Sequence, residues 1–73
     1  MIMEKIKIST EYIKLDSFLK FAGLVGTGGE AKYVISEGMV IVNGEPCLMR
    51  GKKLVPGDRV KFENFELEVT DEC

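Results

Sequence analysis

The residues best suited to chemistry in this sequence are a short run that could hold a phosphate. Thr27 and Glu30 have the spacing of a helix capping box. Gly28 and Gly29 lie between them, and neither has a side chain that would keep an anion from the free N–H groups of a first helical turn. Lys32 follows about one turn later, where it could pair with that phosphate or its neighbour. The same run also fits a plain capped helix whose glycines only permit the turn.

A second candidate is the basic cluster of Arg50, Lys52 and Lys53 around Gly51. Three charges in four residues favour contact with an anionic partner, although a solvated loop can have the same composition. The acidic side chains lie largely elsewhere and gather near the end of the chain, at Glu63, Glu66, Glu68, Asp71 and Glu72. Steering of a charged ligand depends on the local field, so one basic side is predicted on a mildly acidic protein.

Three further side chains are weaker candidates. Lys14 and Lys20 belong to the first predicted helix, and either fits an ordinary surface lysine equally well. Tyr33 could stack on a nucleobase. An aromatic ring on a helix of so small a domain is, however, more often part of the packing.

The composition argues against an enzyme. Seventy-three residues make one small domain, 1–73, which buries only about 60% of its unfolded surface and has little room for a deep cleft. Histidine is absent, which removes the usual general base and the usual zinc ligand. Cys47 and Cys73 form neither a disulfide framework nor a metal pattern. Asp16 and Asp58 are better explained as helix-start and turn residues, so no metal, cofactor or small-molecule substrate is predicted.

Charge and hydropathy indicate a cytoplasmic protein. The net charge is −2, from 10 basic and 12 acidic side chains, which does not by itself indicate a nucleic-acid binder. No apolar run is long enough to span a membrane. The first residues lack the basic and apolar regions of a signal peptide, and the cysteine usage suits a reducing compartment.

Two short amphipathic helices follow from apolar spacing. Leu15, Phe18, Leu19 and Ala22 fall at i, i+3, i+4 and i+7, and Gly23 can end that helix in a left-handed conformation. The second helix begins at the capping box and ends at a second glycine, with its buried face formed by Ala31, Val34 and Ile35. Neither helix is long enough to be stable alone, so both must pack on something else.

The remaining elements are predicted as short strands. Before the helices lie a strand at residues 4–8 and a connection at 9–13. After them come a strand at Val40–Val42, an Asn43–Gly44 hairpin, a return strand with an edge proline at Pro46, and a basic loop at 49–53. A Pro56–Gly57 type II turn then leads to a strand at Arg59–Phe62 and to a last strand with Phe65, Leu67 and Val69 on its apolar side. The layout predicts an α+β fold, two short helices on one face of a small, mostly antiparallel sheet. Residues 70–73 are expected to fray, and the predicted core is Leu15, Phe18, Leu19, Ala31, Ile35, Val40, Val42, Val60 and Phe62.

These features resemble a known family when they are taken in order. The positions that carry the resemblance are Leu15-Asp16, Gly23-Leu24-Val25, Thr27, Glu30-Ala31-Lys32, Ile35, Glu37-Gly38, Val40, Val42-Asn43-Gly44 and Pro56-Gly57-Asp58. They resemble the RNA-binding domain named after small-subunit ribosomal protein S-four, the alpha-L motif, over residues 14–62. The chain is most similar to the single-domain YaaA/YbcJ-like bacterial proteins of that family, which share its Gly-Gly-x-Ala-Lys segment and basic stretch.

The resemblance implies binding of structured RNA without catalysis, through the two helices and the basic loop. The RNA would be of the ribosomal or transfer class, free or within a ribosomal particle, with a monomer as the favoured state. The residues and the resemblance together predict RNA contacts from Lys14, Lys20, Thr27, Gly28, Gly29, Lys32, Tyr33, Arg50, Lys52 and Lys53. Many relatives have arginine where this chain has Gly28. The rival interpretation is a protein-interaction module that uses the same helical face without direct RNA contact.

Overall fold

A computed structural model describes residues 3–71 of the chain, with side chains from residue 4 onward. These residues form seven strands and two helices, and both helices lie between the second and third strands. In chain order they are β1 (Met3–Lys7), β2 (Ile13–Lys14), α1 (Leu15–Phe21), α2 (Gly28–Ser36), β3 (Val40–Val42), β4 (Glu45–Pro46), β5 (Lys53–Leu54), β6 (Arg59–Phe62) and β7 (Phe65–Thr70).

The main sheet has five strands in the order β1-β7-β6-β3-β4. β1 and β7 run parallel, and the other neighbouring pairs are antiparallel. Alternate side chains of β6 and β7 are buried in one cluster with those of the two helices. The predicted α+β fold, with two helices on one face of a mostly antiparallel sheet, is confirmed, and Pro46 lies on the edge strand as expected.

A second, two-stranded sheet is a feature that sequence reasoning missed. β2 and β5 pair antiparallel, with Ile13 opposite Leu54 and Lys14 opposite Lys53. The prediction had assigned Ile13 to a connection and Lys53 to a loop. Two-residue strands are too short to show alternation, so their pairing becomes visible only when the chain is folded.

The core contains every residue predicted for it, each with at most 6% of its surface exposed. It also contains Val25 and Leu54, which no periodic pattern indicates.

The prediction that Phe65 faces the core is wrong. Phe65 is 52% exposed, although the alternation of β7 places it on the apolar side. It directly follows the β6–β7 turn and therefore lies at the rim of the sheet. Thr70 does not fray, since it is the register partner of Lys7, and residues 72–73 lie outside the described part.

Both helices end in the same hydrogen-bonded motif. After α1, Gly23 N–H donates to the Lys20 carbonyl and Leu24 N–H to that of Leu19. Gly23 has a φ of 79°, a conformation that L side chains rarely adopt, so the glycine predicted to end this helix is confirmed. Gly38 has the same role after α2, with a φ of 73°.

Asp58 is held as a turn residue. One carboxylate oxygen accepts from the Val55 N–H at 2.9 Å, and the other accepts from the Asn43 side-chain amide at 3.1 Å. The Asn43 side-chain oxygen accepts in turn from the Arg59 N–H at 2.9 Å. These bonds tie the β3–β4 hairpin to the turn before β6, and they occupy the carboxylate that a catalytic role would need.

Two phenylalanines on α1 provide a matched test of the packing. Phe18 is fully buried whereas Phe21 is 61% exposed. We expect Phe18→Ala to lower the free energy of unfolding by about 3–5 kcal/mol, because it removes a ring from the centre of the core. Phe21→Ala should change it by less than about 0.5 kcal/mol. Urea denaturation measures both, and similar losses in the two variants would contradict this packing.

Candidate nucleic-acid interface

The β2–β5 pair assembles a cationic surface from two distant parts of the chain. Lys14 lies directly opposite Lys53 in the ladder, so the two side chains share one face. Arg50 and Lys52 immediately precede β5, and all four side chains are exposed. We call Lys14, Arg50, Lys52 and Lys53 the basic surface. It includes the complete predicted cluster and one of the two weaker lysine candidates.

The backbone of this cluster is fixed to the start of α1. Leu15 N–H donates to the Lys52 carbonyl at 2.9 Å, and Asp16 N–H donates to the Arg50 carbonyl at 3.2 Å. The N-cap residue, Lys14, makes no side-chain capping bond. The first N–H groups of a helix need acceptors from outside it, and here the loop carbonyls provide them. The loop is therefore ordered through its backbone, while its charged side chains remain available.

Tyr12 adds an aromatic ring to the basic surface. Lys53 Nζ lies 4.9 Å from the centroid of the Tyr12 ring, which is a cation–π distance. The tyrosine is 39% exposed, and its carbonyl accepts a hydrogen bond from the Thr10 hydroxyl at 2.6 Å. Sequence reasoning missed this residue, because its proximity to Lys53 depends on the β2–β5 pairing.

The start of α2 has the predicted cap with one difference. Thr27 Oγ1 accepts from the Glu30 N–H at 3.1 Å. The Glu30 carboxylate, however, accepts from the Gly26 N–H at 2.9 Å rather than from that of Thr27. The carboxylate thus occupies the Gly26 side of the helix end, and the side open to an anion is that of Gly28 and Gly29.

Neither Gly28 nor Gly29 is required by the surrounding structure. Both are exposed, and neither has a positive φ. A Cβ added at Gly28 would meet no atom within 4 Å, and one at Gly29 would meet only Thr27 Oγ1, at 4.0 Å. Glycine in a helix interior costs about 1 kcal/mol relative to alanine, and the cost is smaller in the first turn, where Gly28 and Gly29 stand. The turn alone therefore does not explain why glycine stands at these two positions.

The basic surface and the start of α2 lie at opposite ends of α1. The loop carbonyls bond to the first turn of α1, whereas Leu24 and Val25, which lead into α2, bond back to the Leu19 carbonyl near its end. Seven helical residues rise about 10 Å. A single ligand would therefore need to extend along α1 to reach both the basic surface and the start of α2.

The remaining predicted contacts are exposed on the helices. Lys20 lies in the last turn of α1, away from Lys14, and Lys32 lies on α2 beside Tyr33. Tyr33 is 61% exposed, so its ring is not part of the core packing that was the simpler explanation for it.

Two of the acidic side chains near the end of the chain, Glu66 and Glu68, lie among cations of the main sheet. Glu68 lies between Lys5 of β1 and Arg59 of β6, and Glu66 lies opposite Lys61. Arg59 Nε is 4.0 Å from Glu68 Oε1. The sheet therefore interleaves charges that the sequence shows as a run. Glu66 and Glu68 therefore do not belong to a segregated acidic region, and Glu72 lies outside the described residues.

Residues 3–71 contain neither a cluster of metal ligands nor a membrane-spanning helix. No group of three or more metal-ligating side chains lies together in that part of the chain. No helix there is long and apolar enough to cross a membrane.

The similarities to known proteins agree with this architecture. Residues 6–70 match the family described as the S4 domain. The chain belongs to the S4 domain family. The probable ribosome maturation protein RlbA of Bacillus subtilis (strain 168) is 50% identical over 60 residues, which cover 82% of this chain and 84% of the relative. The predicted resemblance to the S4 domain is confirmed, and the relative that the chain resembles is a single-domain member of the family.

The Lys14–Lys53 pair predicts a substitution that stabilises the fold. Like charges directly opposite in a ladder are unfavourable, and a negative charge suits the start of a helix. We expect Lys14→Glu to raise the free energy of unfolding by roughly 0.5–1 kcal/mol at low salt, with a smaller gain at high salt. The control is Lys20→Glu in the last turn of α1, which should be neutral or destabilising. A loss of stability in Lys14→Glu would contradict the proposed repulsion.

Proposed function

We propose that this S4-domain protein binds structured RNA without catalysis, using the basic surface as its main phosphate contact. The observation that carries the proposal is the ladder position of Lys14 directly opposite Lys53, beside Arg50 and Lys52. Folding brings these cations together although their mutual repulsion opposes it. A polyanion bound across them would offset that repulsion and gain four charge-assisted contacts.

A second contact is proposed at the start of α2. Gly28 and Gly29 are exposed residues of the first turn of α2, where the N–H groups lack partners within the helix and the helix dipole is positive. Lys32 follows on the same helix. A phosphate held here and others held at the basic surface would be separated by about the length of α1, roughly 10 Å. Such a spacing suits a continuous nucleic-acid backbone better than a small anion.

The proposed target is ribosomal or transfer RNA, free or within a ribosomal particle in the cytoplasm. The similarity to a protein named for ribosome maturation supports this class. Recognition would depend on RNA shape and phosphate positions, because the cationic contacts carry no base sequence information by themselves. The proposal needs no cofactor, small-molecule substrate or membrane, and a monomer suffices for it.

The exposed aromatic rings of the helices favour one alternative function. Phe21 and Tyr33 are each 61% exposed, and side chains of this kind are common in protein–protein contacts. A protein-interaction module would use them without RNA contact. The two functions differ in salt dependence, because phosphate contacts release counterions and apolar contacts do not.

Salt titration of RNA binding tests the basic surface. For four phosphate contacts we expect the logarithm of affinity for a labelled RNA hairpin to fall with that of salt with a slope of about −3 to −4. Lys52→Glu with Lys53→Glu should weaken binding strongly and make the slope shallower by about 2. The charge-matched control is Lys5→Glu with Lys61→Glu, on the sheet face turned away from the helices. Salt-independent binding, or equal losses in both double variants, would contradict the proposal.

The glycines of α2 allow stability and binding to be separated. Gly28→Ala should stabilise the protein by roughly 0.4–1 kcal/mol, because its backbone conformation is open to alanine and a Cβ meets no neighbour. The same change should weaken RNA binding about tenfold if the methyl group displaces a phosphate, since a hydrogen bond to a charged group contributes about 1.5 kcal/mol or more. Unchanged affinity would show that the glycines only permit the turn.

A further inference from the structure

A groove lies beside the basic surface and is not needed by the phosphate contacts described above. It has a volume of about 480 Å³ and lies along the edge strand β4 and the segment that follows it. Its lining includes Val42, Glu45, Pro46, Leu48, Met49 and Lys52. Lys52 belongs both to this groove and to the basic surface. A ligand bound at one is therefore adjacent to the other.

The groove has an apolar part because the fold leaves two large side chains uncovered. Leu48 is 63% exposed and Met49 is 65% exposed. Their backbone is nevertheless held in place. Cys47 N–H donates to the Val40 carbonyl at 3.0 Å, and the Met49 carbonyl accepts from the Lys52 N–H at 3.2 Å and from the Cys47 thiol at 3.7 Å. The apolar groups are thus presented from an anchored segment, as expected of a preformed site rather than of a floppy loop.

The polar groups of the groove differ in character. The Lys52 ammonium attracts a phosphate, whereas the Glu45 carboxylate repels one and accepts hydrogen bonds. A carboxylate is a good acceptor for the exocyclic amino group of a base. The Asn43 side chain also borders the groove, but its amide is already bonded to Asp58 and Arg59. Glu45 is therefore the group best placed to contact the polar edge of a ligand.

We propose that this groove takes one unpaired nucleobase of the bound RNA, with the base against Leu48 and Met49 and the nucleotide's phosphate at Lys52. The preferred base has an exocyclic amino group that donates to Glu45, as in adenine, cytosine or guanine, and uracil is disfavoured. The proposal rests on the RNA-binding function and defines its target as a paired region that carries an unpaired nucleotide. Unstacked bases in loops and bulges are what side chains can reach in folded RNA.

A peptide is a poorer occupant of the same groove. An extended peptide binds at a sheet edge through a row of main-chain hydrogen bonds. The edge strand here, β4, has two residues, and one of them is Pro46, which has no N–H to donate. The groove also opens onto a cationic surface, which favours a ligand whose apolar ring is attached to an anionic backbone.

The test compares two RNA hairpins that differ by a single bulged nucleotide. With bulged adenine or cytosine, we expect binding roughly tenfold tighter than to the fully paired hairpin, because one base is buried against the apolar side chains of Leu48 and Met49. A bulged uracil should gain less. With 2-aminopurine at the bulge, the fluorescence should change on binding, because the base moves from solvent into the groove.

Two variants and one control locate the effect. Leu48→Ala with Met49→Ala should abolish the preference for the bulged hairpin and retain binding to the paired one. Phe65→Ala removes an equally exposed apolar side chain at the β6–β7 turn and should change neither. Glu45→Ala should remove the discrimination against uracil. Circular dichroism and urea denaturation confirm that each variant is folded.

The possible failures are distinguishable from one another. Equal affinity of the wild-type protein for the bulged and paired hairpins would overturn the nucleobase proposal, leave the RNA-binding function intact, and point to a protein as the occupant of the groove. Equal losses for both hairpins in the Leu48 and Met49 variant would also overturn it. No binding to either hairpin would overturn both this proposal and the function on which it rests.

Discussion

The hydrogen bonds from the first turn of α1 to the carbonyls of Arg50 and Lys52 are the constraint on which the proposed site depends. A seven-residue helix is not stable alone, and its N-cap residue, Lys14, offers no side-chain cap. The helix therefore needs the loop to satisfy its N–H groups, and the loop needs the helix to fix its path. Scaffold and candidate site form one unit, because the backbone groups that complete the helix also set the positions of the cations. Flexible lysine and arginine side chains on an ordered backbone can adapt to a ligand without reordering the chain.

Two features of the structure lower stability without serving the fold. Lys14 and Lys53 are like charges opposite each other, and Gly28 and Gly29 occupy helical positions that alanine would fill without steric conflict. In so small a domain a loss of even 1 kcal/mol is a large part of the total stability. Both features coincide with proposed phosphate contacts. A bound phosphate would offset the repulsion between Lys14 and Lys53, and the glycines leave backbone N–H groups open to a second phosphate. Two independent costs in stability thus fall at proposed phosphate contacts. A binding surface explains their position better than chance composition does.

Structural features set by short-range interactions were predictable from the sequence, whereas those set by long-range interactions were not. The cap at Thr27, the left-handed ends at Gly23 and Gly38, and the Asn43–Gly44 hairpin are set by residues within a few positions of one another, and all are present. In the chain, β2 precedes both helices and β5 follows them. Each of these strands is too short to show an alternation of apolar and polar residues. The partnership of Lys14 with Lys53 and the ring of Tyr12 beside it therefore had no local signal. Phe65 shows the converse, since alternation predicts a side of the sheet but not where the helices stop covering it.

Net charge is a poor guide to the partners of this protein, for a reason of scale. The molecule measures 32 × 26 × 21 Å, whereas the Debye length at physiological salt is about 8 Å. An approaching phosphate therefore responds to the charges near its point of contact and not to the total of −2. Glu68 is further compensated where it lies, between Lys5 of β1 and Arg59 of β6, and Glu66 lies opposite Lys61. The same screening limits long-range steering, so affinity must come from close contacts, and specificity from how many of them one RNA shape can make at once.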